Sequence, residues 1–239
     1  MANINRFNSV FIGLCLLLGL VSLGYQLGES AIRYKEYERQ VTVKGLSERE
    51  YKADIVIWPI QFTVADNNLS SLYQTIEAST GKIRAFLEDA GLNADEISFT
   101  GPSIIDKSAQ QYGGQAQALF RYTATQTVTV YSKNIDVVRG VMGNISVLGK
   151  QGIVFNGNDY SYQTEYIFTR LNEIKPEMIE EATKKAREVA EKFASDSKST
   201  LGKIRTASQG QFSISARDKN NPHIKKVRVV STVSYYLSD

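Results

Sequence analysis

The 239-residue sequence contains only one cysteine, one histidine, one tryptophan and four prolines. A single cysteine excludes an intramolecular disulfide framework, and a single histidine beside it excludes a Cys/His zinc site or a Cys–His catalytic pair. The net charge is only +3, whereas nucleic-acid binding usually requires a clustered basic face. We therefore predict no nucleic-acid partner, no metal and no cofactor, and we assign no catalytic residue.

Hydrophobic residues make up 42% of the chain and charged residues 22%. This composition is typical of a globular protein and not of a disordered tail or a polytopic membrane protein. The length alone predicts one or two domains. No linker rich in Pro, Gly or Ser divides residues 40–239, so we expect this range to form one domain.

Residues 7–28 carry no charge and separate a short tail, residues 1–6, from a charged linker, residues 29–39. A helix of this length spans about 33 Å, enough to cross the hydrocarbon core of a membrane. The segment predicts a transmembrane anchor. A signal peptide is the alternative, because the densest apolar part is only about 12 residues long and a small-x-small cleavage site follows it.

The charges that flank this segment do not fix its orientation. Arg6 precedes it, whereas Arg33, Lys35 and Arg39 follow it, and this count favours the wrong side for export. Large domains, however, cross membranes largely regardless of charge. We expect an inner-membrane anchor with the domain in the periplasm or outside the cell, or a protein secreted to the periplasm after cleavage.

The patterns in residues 40–239 predict an α+β fold of long antiparallel strands with about three helices packed on the sheet. The approximate order is ββα-ββα-βα-ββ, preceded by the N-terminal membrane helix. Within the strand at residues 54–64, Pro59 marks an edge position or a bulge. Charged residues 47–50 predict a turn before that strand. Further strands are expected at residues 96–101, 119–131, 160–171, 204–216 and 227–237.

Helical periodicity predicts helices at residues 69–90, 135–148 and 176–201. Gly91 ends the first, and Asn134 is the N-cap of the second. In the third, Pro176 suits the first helical position and Gly202 the position after the last turn. Pairs such as Glu181 and Lys185 place a solvated, charged face on this helix.

Two stretches, Ser79–Lys82 and Ser195–Lys198, match the Ser-x-x-Lys pattern of serine acyl-enzymes. The pattern places a hydroxyl one helical turn from an amine that acts as its base. The companion Ser-Asp-Asn and Lys-Thr-Gly motifs are absent from the sequence. Because a four-residue pattern of such common residue types is expected by chance in a chain of this length, a Ser-Lys hydrolase is the weakest alternative function.

The remaining titratable residues do not form a recognisable catalytic or metal-binding pattern. His223 lies in a predicted hairpin loop, where a lone histidine is usually a surface residue. Asp218 lies nearby in sequence, but two ligands without a third do not make a metal site. The acidic pairs at residues 88–89 and 95–96 suit turns and solubility better than a glycosidase centre. We therefore expect a protein that is not an enzyme.

The 13 tyrosines include several that alternate along predicted strands, among them Tyr160, Tyr162 and Tyr166. Such stripes suit half-buried sheet faces. They also suit a stacking platform, so a small-molecule or glycan-binding module is an alternative function. Long strands with open edges favour pairing with another chain, and we expect a homo-oligomer.

Three stretches, taken in order, resemble the SIMPL-domain family. The opening Val41-Thr-Val-Lys-Gly45, followed by Ala53-Asp54 before a long strand, is similar to the family's first strands. The Ala-rich helix at residues 180–190 with its Leu201-Gly202 exit resembles the family's late helix. Residues 227–236 resemble its last strand. The likeness covers nearly all of residues 40–239.

The resemblance implies a bacterial envelope protein, exported or anchored, of the kind that includes periplasmic immunogenic proteins. It implies an α+β fold, assembly into oligomers and a link to stress tolerance. No catalytic residues define the family, so none is transferred to this chain. We therefore predict a non-enzymatic cell-envelope protein that oligomerises or binds an envelope protein partner.

Overall fold

The structure is a computed structural model that describes residues 2–109, 119–156 and 163–238, with side chains from residue 11 onward except at 31–33 and 35–37. It confirms the predicted α+β class with antiparallel strands. The described helices are α1 (Ala2–Tyr37), α2 (Leu69–Asp89), α3 (Ile135–Gly143), α4 (Ser146–Lys150) and α5 (Leu171–Asp196). The strands are β1 (Gln40–Lys52), β2 (Ile55–Asp66), β3 (Ile97–Phe99), β4 (Ser103–Asp106), β5 (Tyr122–Ser132), β6 (Val154–Phe155), β7 (Glu165–Ile167), β8 (Thr200–Gln209), β9 (Ser213–Ala216) and β10 (Ile224–Ser238).

The chain folds into two compact units, and neither is continuous in sequence. The first unit comprises residues 1–48, 175–212 and 228–239. The second comprises residues 49–174 and 213–227. The prediction that residues 40–239 act as one domain stays a prediction.

In the first unit, strands β1, β10 and β8 lie side by side with β10 in the centre. Helix α5 packs on this sheet through a stripe of buried alanines that includes Ala186 and Ala190. The small side chains let the helix approach the strands closely, and Gly45 of β1 lies directly against the helix backbone at Ala182 and Ala186. The core of the unit is formed by Val43, Ala186, Ala190, Val233 and Tyr235.

In the second unit, β2 and β5 form the centre of a six-stranded antiparallel sheet. Their residues alternate between two faces, as the sequence predicts. The inner face carries apolar residues such as Trp58, which is paired with Val130. Helices α2 and α3 cover this face. The predicted caps of these helices are confirmed, since α2 ends before Gly91, which has a positive φ, and Asn134 accepts a hydrogen bond from the Val137 amide.

Pro59 occupies a central strand, and the structure shows why a proline is tolerated there. The register between β2 and β5 passes through Pro59 without a bulge. On the other side of β2, β7 pairs with residues 55–57 and β6 with residues 62–63. The ladder is therefore interrupted beside Pro59, so its missing N–H removes no strand pairing there.

The predicted ends of the last helix are wrong by five residues at each terminus. Helix α5 starts at Leu171, which leaves Pro176 inside the helix, and it ends at Asp196. Lys198 takes the left-handed position with φ of 56°. The amides of Lys198 and Ser199 bond back to the carbonyls of Ser195 and Ala194, which is the Schellman arrangement that usually uses glycine.

Three predicted strand boundaries also change. Residues 47–50 do not form a turn, because β1 continues through them with Ser47 buried. The predicted strand at residues 204–216 divides into β8 and β9. Of the predicted strand at residues 160–171, only β7 is formed among the described residues, and Tyr160 and Tyr162 lie outside them.

Candidate functional site

The N-terminal helix α1 is apolar and uncovered. Residues 11–30 have a mean hydropathy of 1.9, and none of this segment is buried inside the structure. The helix does not stop at Gly28 but continues through the charged segment to Tyr37. A 20-residue apolar helix with no covering protein is long enough to cross a membrane. By length and composition it is a candidate membrane anchor or signal sequence.

Strand β8 is uncovered on both faces. Nine of its ten residues are exposed, and only Leu201 is half-buried. Its inner edge pairs with β10, whereas its outer edge has no neighbouring strand among the described residues. The Gly210 amide donates to the Val230 carbonyl at 2.8 Å. Because antiparallel bonding alternates, the amides of Ala207 and Gln209 point to the open edge.

The outer face of the six-stranded sheet holds a cavity of about 570 Å³. We call it the threonine groove, because Thr125, Thr127 and Thr129 of β5 form one side of its floor. Opposite them in the register are Pro59 and Gln61 of β2. The other lining residues are Ile57, Thr100, Gly101, Ser103, Gln163 and Glu165.

The Ala53-Asp54 pair connects three segments of the second unit. The Ala53 amide donates to the His223 carbonyl at 2.8 Å. The Asp54 carboxylate accepts bonds from the Thr169 amide at 2.6 Å and from Arg170 Nε at 2.6 Å. Burial by itself would raise the pKa of Asp54, but these hydrogen bonds outweigh it and lower the pKa below its usual range. The pair is therefore a structural clamp that fixes the turn before α5.

His223 is not a surface residue, which corrects the sequence-based expectation. It lies in a turn, yet only 6% of it is exposed, and its Nδ1 has no hydrogen-bond partner in the part of the chain that the structure describes. The ring lies 6.0 Å from that of Tyr166. Burial lowers the pKa of His223, and the nearby cations Arg139 and Arg217 lower it further. The folded protein therefore favours the neutral imidazole.

Acidification is expected to destabilise the protein through His223 before most carboxylates titrate. In the unfolded chain His223 takes up a proton near pH 6.5, whereas in the folded protein it takes up the proton only at a lower pH. The free energy of unfolding is therefore highest above pH 6.5 and falls as the pH drops toward the pKa of the folded state. Each unit by which the pKa is lowered corresponds to about 1.4 kcal/mol. Urea unfolding at pH 7.5 and pH 5.5 measures the loss.

The control for this experiment is His223→Gln, which removes the only imidazole in the chain. This variant is expected to lose much less stability between the two pH values than the wild type. Equal losses in both proteins would show that His223 is not the group responsible.

The other residues singled out from the sequence have structural partners or solvent around them. Lys82 Nζ donates to the Gln151 carbonyl at 3.2 Å, and Lys198 lies exposed in the turn that follows α5. Glu96 accepts the Asn93 amide in a capping box. Asp218 accepts bonds from Arg217 and from two amides of its own turn, and its pKa is lowered to about 2. Within the described residues, no three Cys, His, Asp or Glu side chains group as metal ligands.

The described tyrosines do not form one stacking platform. Tyr122 and Tyr166 pack against the core of the second unit, and Tyr235 is buried in the core of the first. Tyr51 stacks on Phe168 with ring centroids 5.4 Å apart. The open cavity is lined by threonine and glutamine instead. Alternation of threonines along residues 123–129 was the sequence signal for this surface.

The comparison with protein families gives one match. The family model SIMPL, described as "Protein of unknown function (DUF541)", matches residues 41–234, which is most of the chain. The match spans the Gly45, Ala53-Asp54 and Ala-rich helix positions described above. No curated protein matches the chain.

Proposed function

This chain belongs to the SIMPL family, and on that premise we propose that it is a membrane-tethered envelope protein that works outside the cytoplasm by assembling with further copies of itself. Helix α1 supports the tether, because it is apolar and uncovered over residues 11–30. An envelope partner with a complementary strand is the second candidate, since it would use the same surface. The link to stress tolerance remains an expectation from the family resemblance.

Strand β8 is the observation that carries the assembly proposal. A ten-residue strand that is paired on one edge and uncovered on both faces gains little stability from its own chain. Its outward amides at Ala207 and Gln209 are ready to pair with another strand. Ile204, which is half exposed, offers apolar surface to the same neighbour.

The assembly proposal is tested by light scattering on the full chain in detergent. The wild type is expected to be a discrete oligomer. Ala207→Pro places a proline ring on the open edge without removing a bond to β10, so it is expected to give smaller species at an unchanged melting temperature. Ser208→Pro is the control, because it removes a bond to β10 and lowers the melting temperature. A wild-type monomer at all concentrations would refute the proposal.

The tether is tested in cells. Intact-mass measurement of the mature protein is expected to include residues 1–28, and alkaline washing is expected to leave the protein in the membrane. Deletion of residues 7–28 should release it. Protease added to spheroplasts should digest the domain. A mature chain that starts after residue 24 would indicate a cleaved signal peptide, and a protected domain would place it in the cytoplasm.

We also propose that the domain acts without catalysis. The test uses Lys82→Ala and Lys198→Ala, one in each Ser-x-x-Lys stretch. Both variants are expected to keep the oligomer and any phenotype that the wild type complements. Loss of the phenotype with the fold and the oligomer retained would favour a Ser-Lys enzyme instead.

A further inference from the structure

The threonine groove has the dimensions of a small-ligand site. Its volume of about 570 Å³ lies within the range of roughly 300–1,000 Å³ that such sites occupy. It crosses the sheet where the flanking strands are interrupted. On one side β3 ends at Phe99 and β4 begins at Ser103, and on the other side residues 58–60 of β2 lie between the segments that pair with β7 and β6.

The floor of the groove holds polar groups with unused hydrogen-bonding capacity. Gln61 is only 8% exposed, and its Oε1 accepts a bond from Asn156 at 2.9 Å. Its amide nitrogen has no acceptor among the described residues. Thr127 is 7% exposed, and its hydroxyl also has no protein partner in the described part of the chain. Nearly buried polar groups that face a cavity are satisfied by water or by a ligand.

The charges around the groove define the ligand further. No lysine or arginine is among its described lining residues, and Glu165 is the one ionisable group among those residues. The described lining therefore offers an anionic ligand no counter-charge. Ile57 and Pro59 add an apolar patch to the floor.

An aromatic side chain extends this patch. Tyr131 lies two residues beyond Thr129 on the same face of β5 and pairs with Ile57. It is 48% exposed, so its ring is open to solvent. A tyrosine ring beside Ile57 and Pro59 offers a surface for the C–H face of a ring-shaped ligand.

We propose that the threonine groove binds a neutral saccharide. Sugars combine hydroxyl groups, which the Gln61 amide and the threonine hydroxyls would bond, with C–H faces, which Ile57, Pro59 and Tyr131 would contact. The described lining of the groove carries both kinds of surface and no cation. This site is independent of the β8 edge, so it does not rest on the assembly proposal.

The experiment uses the full chain in detergent and isothermal titration with maltotetraose, mannotetraose and chitotetraose. At least one of these neutral sugars is expected to bind. The double variant Thr127→Val/Thr129→Val keeps the side-chain shape and removes two hydroxyls, so it is expected to bind that sugar about tenfold more weakly. Tyr131→Ala is expected to weaken binding as well.

Thr123→Val is the matched control, because Thr123 lies on the same strand and face but outside the lining residues. Its hydroxyl is buried without a partner among the described residues, so the variant is expected to keep both the fold and the affinity. The proposal is overturned if no sugar of the panel binds, if the double variant binds as well as the wild type, or if spermine or inorganic phosphate competes fully for the site. A change of oligomeric state in the double variant, without loss of sugar binding, would identify the groove as a contact between copies.

Discussion

Replacing Gly45 with alanine is expected to lower the free energy of unfolding by about 3 kcal/mol, at the upper end of overpacking effects. A Cβ at this position would lie 2.5 Å from the backbone nitrogen of Ala186 and closer still to the carbonyl oxygen of Ala182. Both atoms belong to the backbone of α5, so no side-chain rotation relieves the clash. The helix would have to move away from β1 and loosen the alanine stripe.

Urea denaturation of the full chain in detergent measures this effect, and Gly81→Ala supplies the control. Gly81 lies inside α2, where an added Cβ would point into open space, so the same substitution is expected to raise the free energy of unfolding by about 0.5–1 kcal/mol. Opposite signs for one chemical change would identify the cause as backbone contact. A Gly45→Ala variant as stable as the wild type would show that the contact is absent.

Replacing Asp54 with alanine is expected to cost about 2–3 kcal/mol. The change leaves the Thr169 amide and the Arg170 guanidinium without the carboxylate that both of them bond. The turn before α5 then loses the hydrogen bonds that connect it to the segment at Asp54. Asp54→Asn is expected to cost less, because the amide oxygen still accepts a bond from Thr169.

The pH dependence of unfolding shows whether Asp54 stabilises the protein through its charge or only through packing. Since its folded pKa is lowered, the wild type keeps the full contribution of Asp54 above about pH 4 and loses it as the pH falls through the folded value. The alanine variant should show a smaller loss over that range. Asp136→Asn is the control. Asp136 pairs with Lys52, and both side chains are about 70% exposed, so the loss of this ion pair is expected to lower the free energy of unfolding by less than about 1 kcal/mol. An Asp54→Ala variant with the pH profile of the wild type would contradict the clamp.

Local periodicity predicted the elements that bury one face. Helix α2 was expected at residues 69–90 and spans Leu69–Asp89, because Leu72, Ile76 and Ile83 repeat at helical spacing and all become buried. The alternation along β5 was visible for the same reason. In such elements the spacing of apolar residues in the sequence predicts which residues become buried.

The ends of α5 depend on interactions that the periodicity of apolar residues cannot predict. Its start follows a turn held by Asp54, more than 100 residues earlier in the chain. Its end uses a lysine in a conformation that sequence statistics give to glycine. The prediction for His223 was wrong for the same reason, since its ring lies beside Tyr166 and its carbonyl bonds to the Ala53 amide, both of which are distant in sequence.

The candidate site was only partly visible in the sequence. The threonine stripe could be predicted to share a face, but its position opposite Pro59 and Gln61 is set by the strand register. The tyrosines are numerous, yet Tyr122, Tyr166 and Tyr235 serve the cores, and other described tyrosines, such as Tyr73 and Tyr236, are exposed away from the groove. The resemblance to the SIMPL family pointed to Gly45 and Ala53-Asp54. In the structure, Gly45 lies against the backbone of α5, and Asp54 bonds to Thr169 and Arg170.

The position of β10 determines when the first sheet can form. This strand lies between β1 and β8, and the Thr42 and Ser234 hydroxyls bond at 2.8 Å across 192 residues of sequence. Until β10 has been synthesised, β1 and β8 have no strand between them. Closing so long a loop is entropically unfavourable and slows folding. The edges of β1 and β8 therefore stay open until β10 has been synthesised, and the formation of this sheet has to wait for that strand.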